Sequence, residues 1–150
     1  MEQAIIAMDM GGTQLRFALF DEEYRIVERH AEPTRPEQGP QRVLDRIVAR
    51  LRPLGARAGW DRGRAVGISA PGPLDPFRGV ILQAPNLPGW RDVPVAEQVR
   101  QALDLPTFVG NDANLAALAE QRRGAGRGYA DVAYITVSTA SAAASSAAAP

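Results

Sequence analysis

The sequence predicts an α/β domain whose mixed β-sheet carries helices on both faces. Three strand-like segments come first, at residues 4–9, 15–21 and 24–31, and helices and strands alternate after them. The first segment is apolar at nearly every position, which is typical of a strand buried on both faces. A length of 150 residues suits one domain with one hydrophobic core.

The three opening strands are expected to form a meander. Leu15, Phe17 and Leu19 alternate along the second strand, so they share one face of it. Acidic residues 21–23 mark the turn into the third strand, which is more polar.

The later elements are predicted from an apolar stripe and from prolines. Leu44, Ile47 and Leu51 recur at helical spacing. They predict a helix over residues 40–52, and Pro53 is expected to end it. The elements expected after it are a buried strand at 65–69, an irregular Pro- and Gly-rich stretch from Ala70 to Trp90 with a short strand at 79–82, a helix with Pro94 in its first turn, a strand at 107–110, a helix at 112–122 and a strand at 132–137.

The composition excludes several kinds of active site. All 17 basic residues are arginine, so neither a P-loop lysine nor a protein-kinase lysine is present. The absence of cysteine removes thiolate nucleophiles, thiolate zinc sites and disulfides. The single histidine, His30, lies in a charged stretch and is interpreted as a surface residue. A metal bound by this chain is therefore expected to be hard and oxygen-liganded, which favours Mg²⁺.

The charge pattern gives no sign of a nucleic-acid or membrane partner. The formal net charge is zero and the arginines are scattered, so no basic patch for nucleic acid is expected. The sequence has no basic leader followed by a long apolar run, and no apolar stretch long enough to span a bilayer. A cytoplasmic location is the expectation.

An acid and a pair of glycines follow the first strand directly. Asp9 stands at the end of an apolar segment, where a carboxylate is costly to bury without a cation. Gly11 and Gly12, followed by Thr13, allow backbone N–H groups to converge on an anion because no Cβ blocks the approach. Phosphate beside a magnesium ion would satisfy both requirements. The alternative is an ordinary hairpin turn with an incidental acid.

Two further polar clusters lie at strand ends. Asn111 and Asp112 stand where a strand ends and a helix begins, a position at which open α/β sheets collect ligands. Asp112 could accept a proton from a bound hydroxyl there, or it could merely cap the helix. Asn86 lies in a Pro- and Gly-rich loop that could present its amide to a polar ligand at low ordering cost, although such loops also simply turn corners. Ser69 is not a nucleophile elbow, because Pro71 stands where that motif needs glycine.

Taken in order, these clusters resemble the amino-terminal half of the ROK family. The resemblance runs from about residue 4 to Thr139 and rests on four motifs: Asp9-Met10-Gly11-Gly12-Thr13 with Arg16, Ser69-Ala70-Pro71-Gly72-Pro73, Asn86-Leu87-Pro88-Gly89-Trp90 and Gly110-Asn111-Asp112-Ala113-Asn114. The family comprises bacterial sugar kinases of the glucokinase type and sugar-responsive repressors. It implies an actin-like (ribonuclease H-like) ATPase lobe.

The resemblance also implies roles for particular residues. They are a phosphate loop at Gly11, Gly12 and Thr13, a magnesium-side carboxylate at Asp9 (directly or through water), sugar-hydroxyl ligands at Asn86 and Asn111, a pocket-lining glycine at Gly72, and a substrate-binding base at Asp112. ATP and Mg²⁺ are the implied cofactors, and a hexose or N-acetylhexosamine is the implied substrate. Phosphoryl transfer depends mainly on positioning and charge neutralisation, which suits such a site. The full-length parent is expected to be a homodimer.

The end of the chain departs from the family pattern. Residues 1–139 are interpreted as the amino-terminal lobe, and residues 140–150 as an Ala/Ser tail that is non-native or the truncated start of a second lobe. A glycine-rich second phosphate loop is expected in its place, and alanine does not adopt positive φ without strain. The family's zinc site and adenine pocket would lie beyond this chain. The 150 residues alone are therefore expected to be inactive.

Three functions are compatible with these motifs. The first is ATP-dependent phosphorylation of a hexose, with this chain as the sugar- and phosphate-binding lobe. The second is the sugar-sensing domain of a transcriptional regulator of the same family; here the phosphate strand starts at residue 4 and Asp9 and its glycines are intact, which favours the kinase. The third is a sugar-binding fragment without catalysis. The kinase hypothesis requires the Asp9 and Asp112 corners to open into the same cleft.

Overall fold

The computed structural model describes residues 4–58, 63–137 and 142–148. The elements up to the fifth strand of the main sheet are β1 (Ala4–Met10), β2 (Gln14–Phe20), β3 (Ile26–Pro33), α1 (Pro40–Ala58), β4 (Gly63–Ala70), β5 (Leu74–Asp75), β6 (Val80–Gln83), β7 (Arg91–Val93), α2 (Val95–Leu103) and β8 (Thr107–Asn111). They are followed by α3 (Asp112–Arg123), β9 (Asp131–Val137) and β10 (Ala142–Ala148). The chain divides into two compact units, Met1–Gly110 and Asn111–Pro150.

The main sheet has five strands in the order β3-β2-β1-β4-β8. β1 runs antiparallel to β2, with Asp9 opposite Arg16, and parallel to β4, with Asp9 opposite Ser69. The predicted meander and mixed sheet are confirmed. Because β1 and β4 are parallel, their carboxyl ends lie at the same edge, and the loops that follow them start there.

The core of the first unit lies between this sheet and two helices. Alternate residues of β1, namely Ile6, Met8 and Met10, are buried, as the period of two in a strand requires. The buried stripe of α1 and the buried side chains of α2 join the same cluster, and the two helices contact each other. The apolar core thus holds one face of the sheet, and polar residues such as Asp9 and Ser69 lie near the carboxyl ends of β1 and β4.

The predicted end of α1 at Pro53 is wrong. The helix continues to Ala58 with Pro53 inside it. Leu54 is 4% exposed and extends the apolar stripe that runs through Ile47 and Leu51. Packing of that turn against the core outweighs the backbone hydrogen bond that proline cannot donate.

The stretch from Ala70 to Trp90 is more regular than expected. The predicted short strand is present as β6, but it pairs with both β5 and β7 in a separate three-stranded sheet. Strands of two and three residues are too short to show the alternation of apolar and polar residues by which a strand is recognised in a sequence.

In the second unit, α3 contacts β9 and β10, which pair antiparallel. The Gln121 amide donates hydrogen bonds of 2.8 Å and 3.2 Å to the carbonyls of Ala130 and Tyr129, so it fastens α3 to the segment before β9. Residues 142–148 of the predicted tail form β10. Residues 138–141 lie outside the described residues, and the boundary at residue 139 stays a prediction. None of the described helices is long and apolar enough to cross a membrane.

Candidate functional site

Asp9 lies near the carboxyl end of β1 with its carboxylate held on both sides. The Ser69 hydroxyl donates a 2.9 Å hydrogen bond to Oδ1, because Ser69 is its partner in the parallel β1–β4 register. Arg16 Nη1 lies 3.5 Å from Oδ2. The Asp9 side chain remains 44% exposed and that of Arg16 64%. The carboxylate is therefore oriented but accessible, and the loose ion pair leaves Oδ2 open to a stronger cation.

The glycine turn joins β1 to β2. The N–H of Gly11 donates to the Gln14 carbonyl at 2.9 Å and so closes the turn. The N–H groups of Gly12 and Thr13 find no acceptor among the described residues. Of the three predicted phosphate-binding residues, Gly12 and Thr13 therefore have free backbone donors, whereas the Gly11 donor is used within the turn.

The structure brings the Asn86 loop against this turn. A Cβ added to Gly12 would lie 3.2 Å from Asn86 Cβ and 3.5 Å from the Asn86 carbonyl oxygen. Only glycine allows so close an approach without displacement. Gly12 and Asn86 are far apart in the sequence, and the fold brings them into contact.

The loop that carries Asn86 is held by backbone hydrogen bonds and by buried side chains. Ala84 N–H donates to the Trp90 carbonyl at 3.1 Å, and Leu87 N–H donates back to the Ala84 carbonyl at 2.9 Å. Ala84 and Leu87 are buried, whereas Asn86 is exposed between them. Two apolar anchors thus hold one polar side chain at the surface, next to Gly12. Gly72 is half-buried and follows β4 at the same edge of the sheet as the glycine turn.

In the second unit the helix cap is Asn111, not Asp112. Asn111 Oδ1 accepts hydrogen bonds from Ala113 N and Asn114 N, at 3.1 Å and 3.2 Å. Asp112 is the first residue of α3 and is exposed, with Oδ1 accepting from Ala113 N at 2.8 Å. Both side chains therefore serve the first turn of α3, since Asp112 Oδ1 and Asn111 Oδ1 share the Ala113 N–H. Asn111 keeps its amide donor for a ligand, while its oxygen is engaged. A common cleft for Asp9 and Asp112 stays a prediction.

The residues at the Asp9 corner fit a phosphate-linked magnesium ion. Mg²⁺ in nucleotide enzymes is typically held by one or two carboxylates together with substrate phosphates and water. One accessible carboxylate beside free backbone donors meets that description. The described residues contain no cluster of three or more His, Asp or Glu that could hold a metal by itself. His30 is 42% exposed and lies 3.4 Å from Glu32, which confirms its interpretation as a surface residue.

One contributor to the turn was missed in the sequence. Thr34, directly after β3, is fully buried and bonds to the carbonyls of both Gly11 and Thr13. A threonine after Pro33 in a polar stretch gives no pattern that would single it out. Its role becomes visible only from its burial and its hydrogen-bond partners.

Comparisons with known proteins agree with this geometry. The ROK family model matches residues 5–144. The chain is similar to the glucokinase of Streptomyces coelicolor, with 38% identity over 134 residues that cover 89% of this chain and 40% of that protein. It is also similar to the N-acetylmannosamine kinase of Shigella boydii, with 36% identity over 134 residues that cover 89% of this chain and 44% of the relative.

A solved structure supports the same relation. The crystal structure of a ROK family glucokinase from Streptomyces griseus, in complex with glucose and AMPPNP, superposes with a TM-score of 0.77 and 38% identity over 94% of this chain and 43% of that one. The chain thus spans less than half the length of each of these relatives. The fold is the actin-like ATPase fold of these proteins. From its motifs, its sheet order and these likenesses, the chain belongs to the ROK family.

Proposed function

We propose that the complete protein transfers the γ-phosphoryl group of ATP to a hydroxyl group of a hexose, with glucose as the first candidate and N-acetylhexosamines as the next. The observation that carries the proposal is the contact of Gly12 with Asn86 beside an oriented Asp9 carboxylate. A phosphate-binding turn and a sugar-binding amide need to be neighbours when a phosphoryl group passes between their ligands. The kinase names of the relatives support this assignment.

On the nucleotide side, the free N–H groups of Gly12 and Thr13 would receive phosphate oxygens. Asp9 would hold Mg²⁺, directly or through a water molecule, while Ser69 fixes the carboxylate orientation. The ion supplies charge neutralisation on the phosphates. The remainder of the nucleotide site is assigned to chain beyond this lobe.

On the sugar side, Asn86 and Asn111 would bind hydroxyl groups, and Gly72 would line the pocket. Asp112 would orient the acceptor hydroxyl and take its proton as its oxygen bonds to the γ-phosphorus, while the bond from that phosphorus to the β,γ-bridging oxygen breaks and ADP leaves. Its exposure and its place at the helix start leave one carboxylate oxygen available for that contact.

A coupled phosphorylation assay tests the proposal. The complete polypeptide is supplied with ATP, Mg²⁺ and, in turn, glucose, N-acetylglucosamine, N-acetylmannosamine, fructose or allose. Phosphorylation of at least one of these sugars, lost in the variant Asp9→Asn and kept in Asp75→Asn, is expected. Asp75 provides the control because its carboxylate serves a surface turn, where it accepts from Phe77 N and Arg78 N.

The regulator alternative gives a different outcome in the same experiment. A sugar-sensing domain would bind one of the sugars in calorimetry and phosphorylate none. That result, obtained with Mg-ATP present, would reject the kinase proposal. The homodimer and the cytoplasmic location of the parent also stay predictions.

A further inference from the structure

Thr34 uses both of its hydrogen-bonding donors on the glycine turn. Its backbone N–H donates to the Thr13 carbonyl at 2.9 Å, and its hydroxyl donates to the Gly11 carbonyl at 2.6 Å. The residue is fully buried, so its own two donors are shielded from water. Thr34 therefore ties the two ends of the turn to the end of β3.

These bonds set the direction of the free donors. The described peptide bonds in this segment are trans, so the carbonyl of Gly11 and the N–H of Gly12 point in opposite directions. Holding the Gly11 carbonyl toward Thr34 turns the Gly12 N–H toward the other side of the turn. The Gly12 N–H is one of the two donors assigned above to phosphate.

Thr34 is in turn anchored by Arg46 on α1. Arg46 Nη1 donates to the Thr34 carbonyl at 2.9 Å, and Nη2 donates to the Pro33 carbonyl. Nη2 also pairs with Glu32 at 2.8 Å, and Arg50 Nε reaches the same carboxylate at 2.6 Å. The anchor is thus a multidentate guanidinium on a helix, with a carboxylate that keeps it in place.

We infer that Thr34 is a positioning residue for nucleotide binding, which aims the Gly12 N–H at phosphate and transmits the position of α1 to the turn through Arg46. This inference rests on the proposed function for the identity of the bound phosphate. Thr34 itself touches neither nucleotide nor sugar. Removing its hydroxyl leaves the Gly11 carbonyl without a donor, and the first turn peptide is then free to rotate.

Nucleotide and sugar affinities respond differently if this inference is right. The Asn86 loop is closed by its own bonds between Ala84, Leu87 and Trp90. Loss of the Thr34 hydroxyl therefore loosens the phosphate donors far more than the sugar amide. A general loss of folding would weaken both affinities together.

The test compares four variants of the complete polypeptide with the wild type. Thr34→Val removes the hydroxyl at nearly constant volume, and Thr34→Ser restores it. Thr107→Val is the matched control, because it removes a hydroxyl that donates to the Leu105 carbonyl at 3.1 Å elsewhere in the sheet. Arg46→Lys keeps the charge and loses the fork. The measurements are the Kd for Mg-AMPPNP by calorimetry, the KM values for ATP and sugar, and the Tm.

Thr34→Val is expected to raise the Kd for Mg-AMPPNP and the KM for ATP about tenfold, with the sugar KM changed less than about twofold. Thr34→Ser and Thr107→Val should stay within about twofold of the wild type. Arg46→Lys should raise the nucleotide Kd about threefold. If Thr34→Val does not accumulate as folded protein, the nucleotide Kd of Arg46→Lys decides whether the anchored Thr34 positions the turn.

Two results would overturn the inference: an unchanged nucleotide Kd in Thr34→Val, or equal losses for nucleotide and sugar. A wild type that binds Mg-AMPPNP but phosphorylates no sugar rejects the proposed function alone, because the ratio of nucleotide Kd values still decides the role of Thr34. A wild type that binds no nucleotide rejects both.

Discussion

At the scale of single residues, the proposal that Asp112 is the base makes a direct prediction. Asp112→Asn keeps the size of the side chain and removes its basicity. In the complete protein it should abolish nearly all sugar phosphorylation and leave sugar binding largely intact, as measured by a coupled assay and by calorimetry. Asp104→Asn, at the left-handed C-cap of α2, is the matched control. Near-normal turnover of Asp112→Asn would show that this carboxylate is not the base.

Asn86 is expected to contribute affinity rather than rate. Asn86→Ala leaves a bound sugar hydroxyl without its partner and should weaken binding by about 1–3 kcal/mol. Calorimetric titration with the preferred sugar measures the change. Gln83→Ala, at an exposed position of β6, provides the control. A sugar Kd that does not move would mean that Asn86 only shapes the loop.

Two carboxylates make the stability of the fold depend on acid pH. The pKa of Asp21 is lowered, chiefly by the backbone N–H of Arg25 and also by its guanidinium. Partial burial raises the pKa of Glu32, but hydrogen bonds from Arg46 and Arg50 outweigh it and hold that pKa below its usual value. In the folded chain both groups bind protons more weakly than in the unfolded chain.

The contribution of these two carboxylates to the free energy of unfolding should therefore be constant above about pH 5 and fall as the pH drops through the ordinary carboxyl range toward the lowered values. Urea denaturation at a series of pH values measures this. Asp21→Asn should flatten the acid slope, and Asp45→Asn, at an exposed carboxylate that accepts from the Gln41 amide, is the matched substitution for comparison. A slope that is the same with and without Asp21 would contradict the assignment.

At the scale of elements, the sequence predicted the strands and helices that have a clear period. β1, α2 and α3 lie close to where their apolar patterns placed them. The extension of α1 past Pro53 was missed, because burial of Leu54 is a tertiary effect. In the candidate site, Asp9 and Asn86 are predicted from local motifs, whereas Thr34 bonds to Gly11 and Thr13, which lie far from it in the sequence.

The junction of the glycine turn with the Asn86 loop gives an element-scale prediction. Gly12→Ala places a methyl group 3.2 Å from Asn86 Cβ, so the turn or the loop must shift by a few tenths of an ångström. Nucleotide and sugar affinity should both fall in the complete protein, by about tenfold or more each, since a shift of this kind misaligns both ligands. Titrations with Mg-AMPPNP and with sugar measure the two effects.

Gly67→Ala is the control for that experiment. Gly67 lies on β4, and an added Cβ there meets nothing within 4 Å. Both affinities should stay at the wild-type level. A loss in Gly67→Ala equal to that in Gly12→Ala would attribute the effect to glycine replacement in general rather than to this junction.

At the scale of the whole molecule, the chain matches less than half the length of its relatives. It spans 40% of the Streptomyces coelicolor glucokinase. The 150 residues as given should therefore show no measurable ATP-dependent kinase activity, because a phosphoryl acceptor and donor held from one side alone are not aligned. A sensitive radiolabel transfer assay with glucose checks this, and robust turnover would show that the second phosphate loop is dispensable.

The buried indole of Trp90 makes movement of the Asn86 loop detectable by fluorescence. Trp90 is 2% exposed, and its carbonyl closes the loop by accepting from Ala84 N–H. The chain has two tryptophans, so replacing Trp60 by phenylalanine leaves Trp90 as the single indole emitter. Its fluorescence then reports whether the loop shifts when a sugar arrives, without labels and on the timescale of rapid mixing.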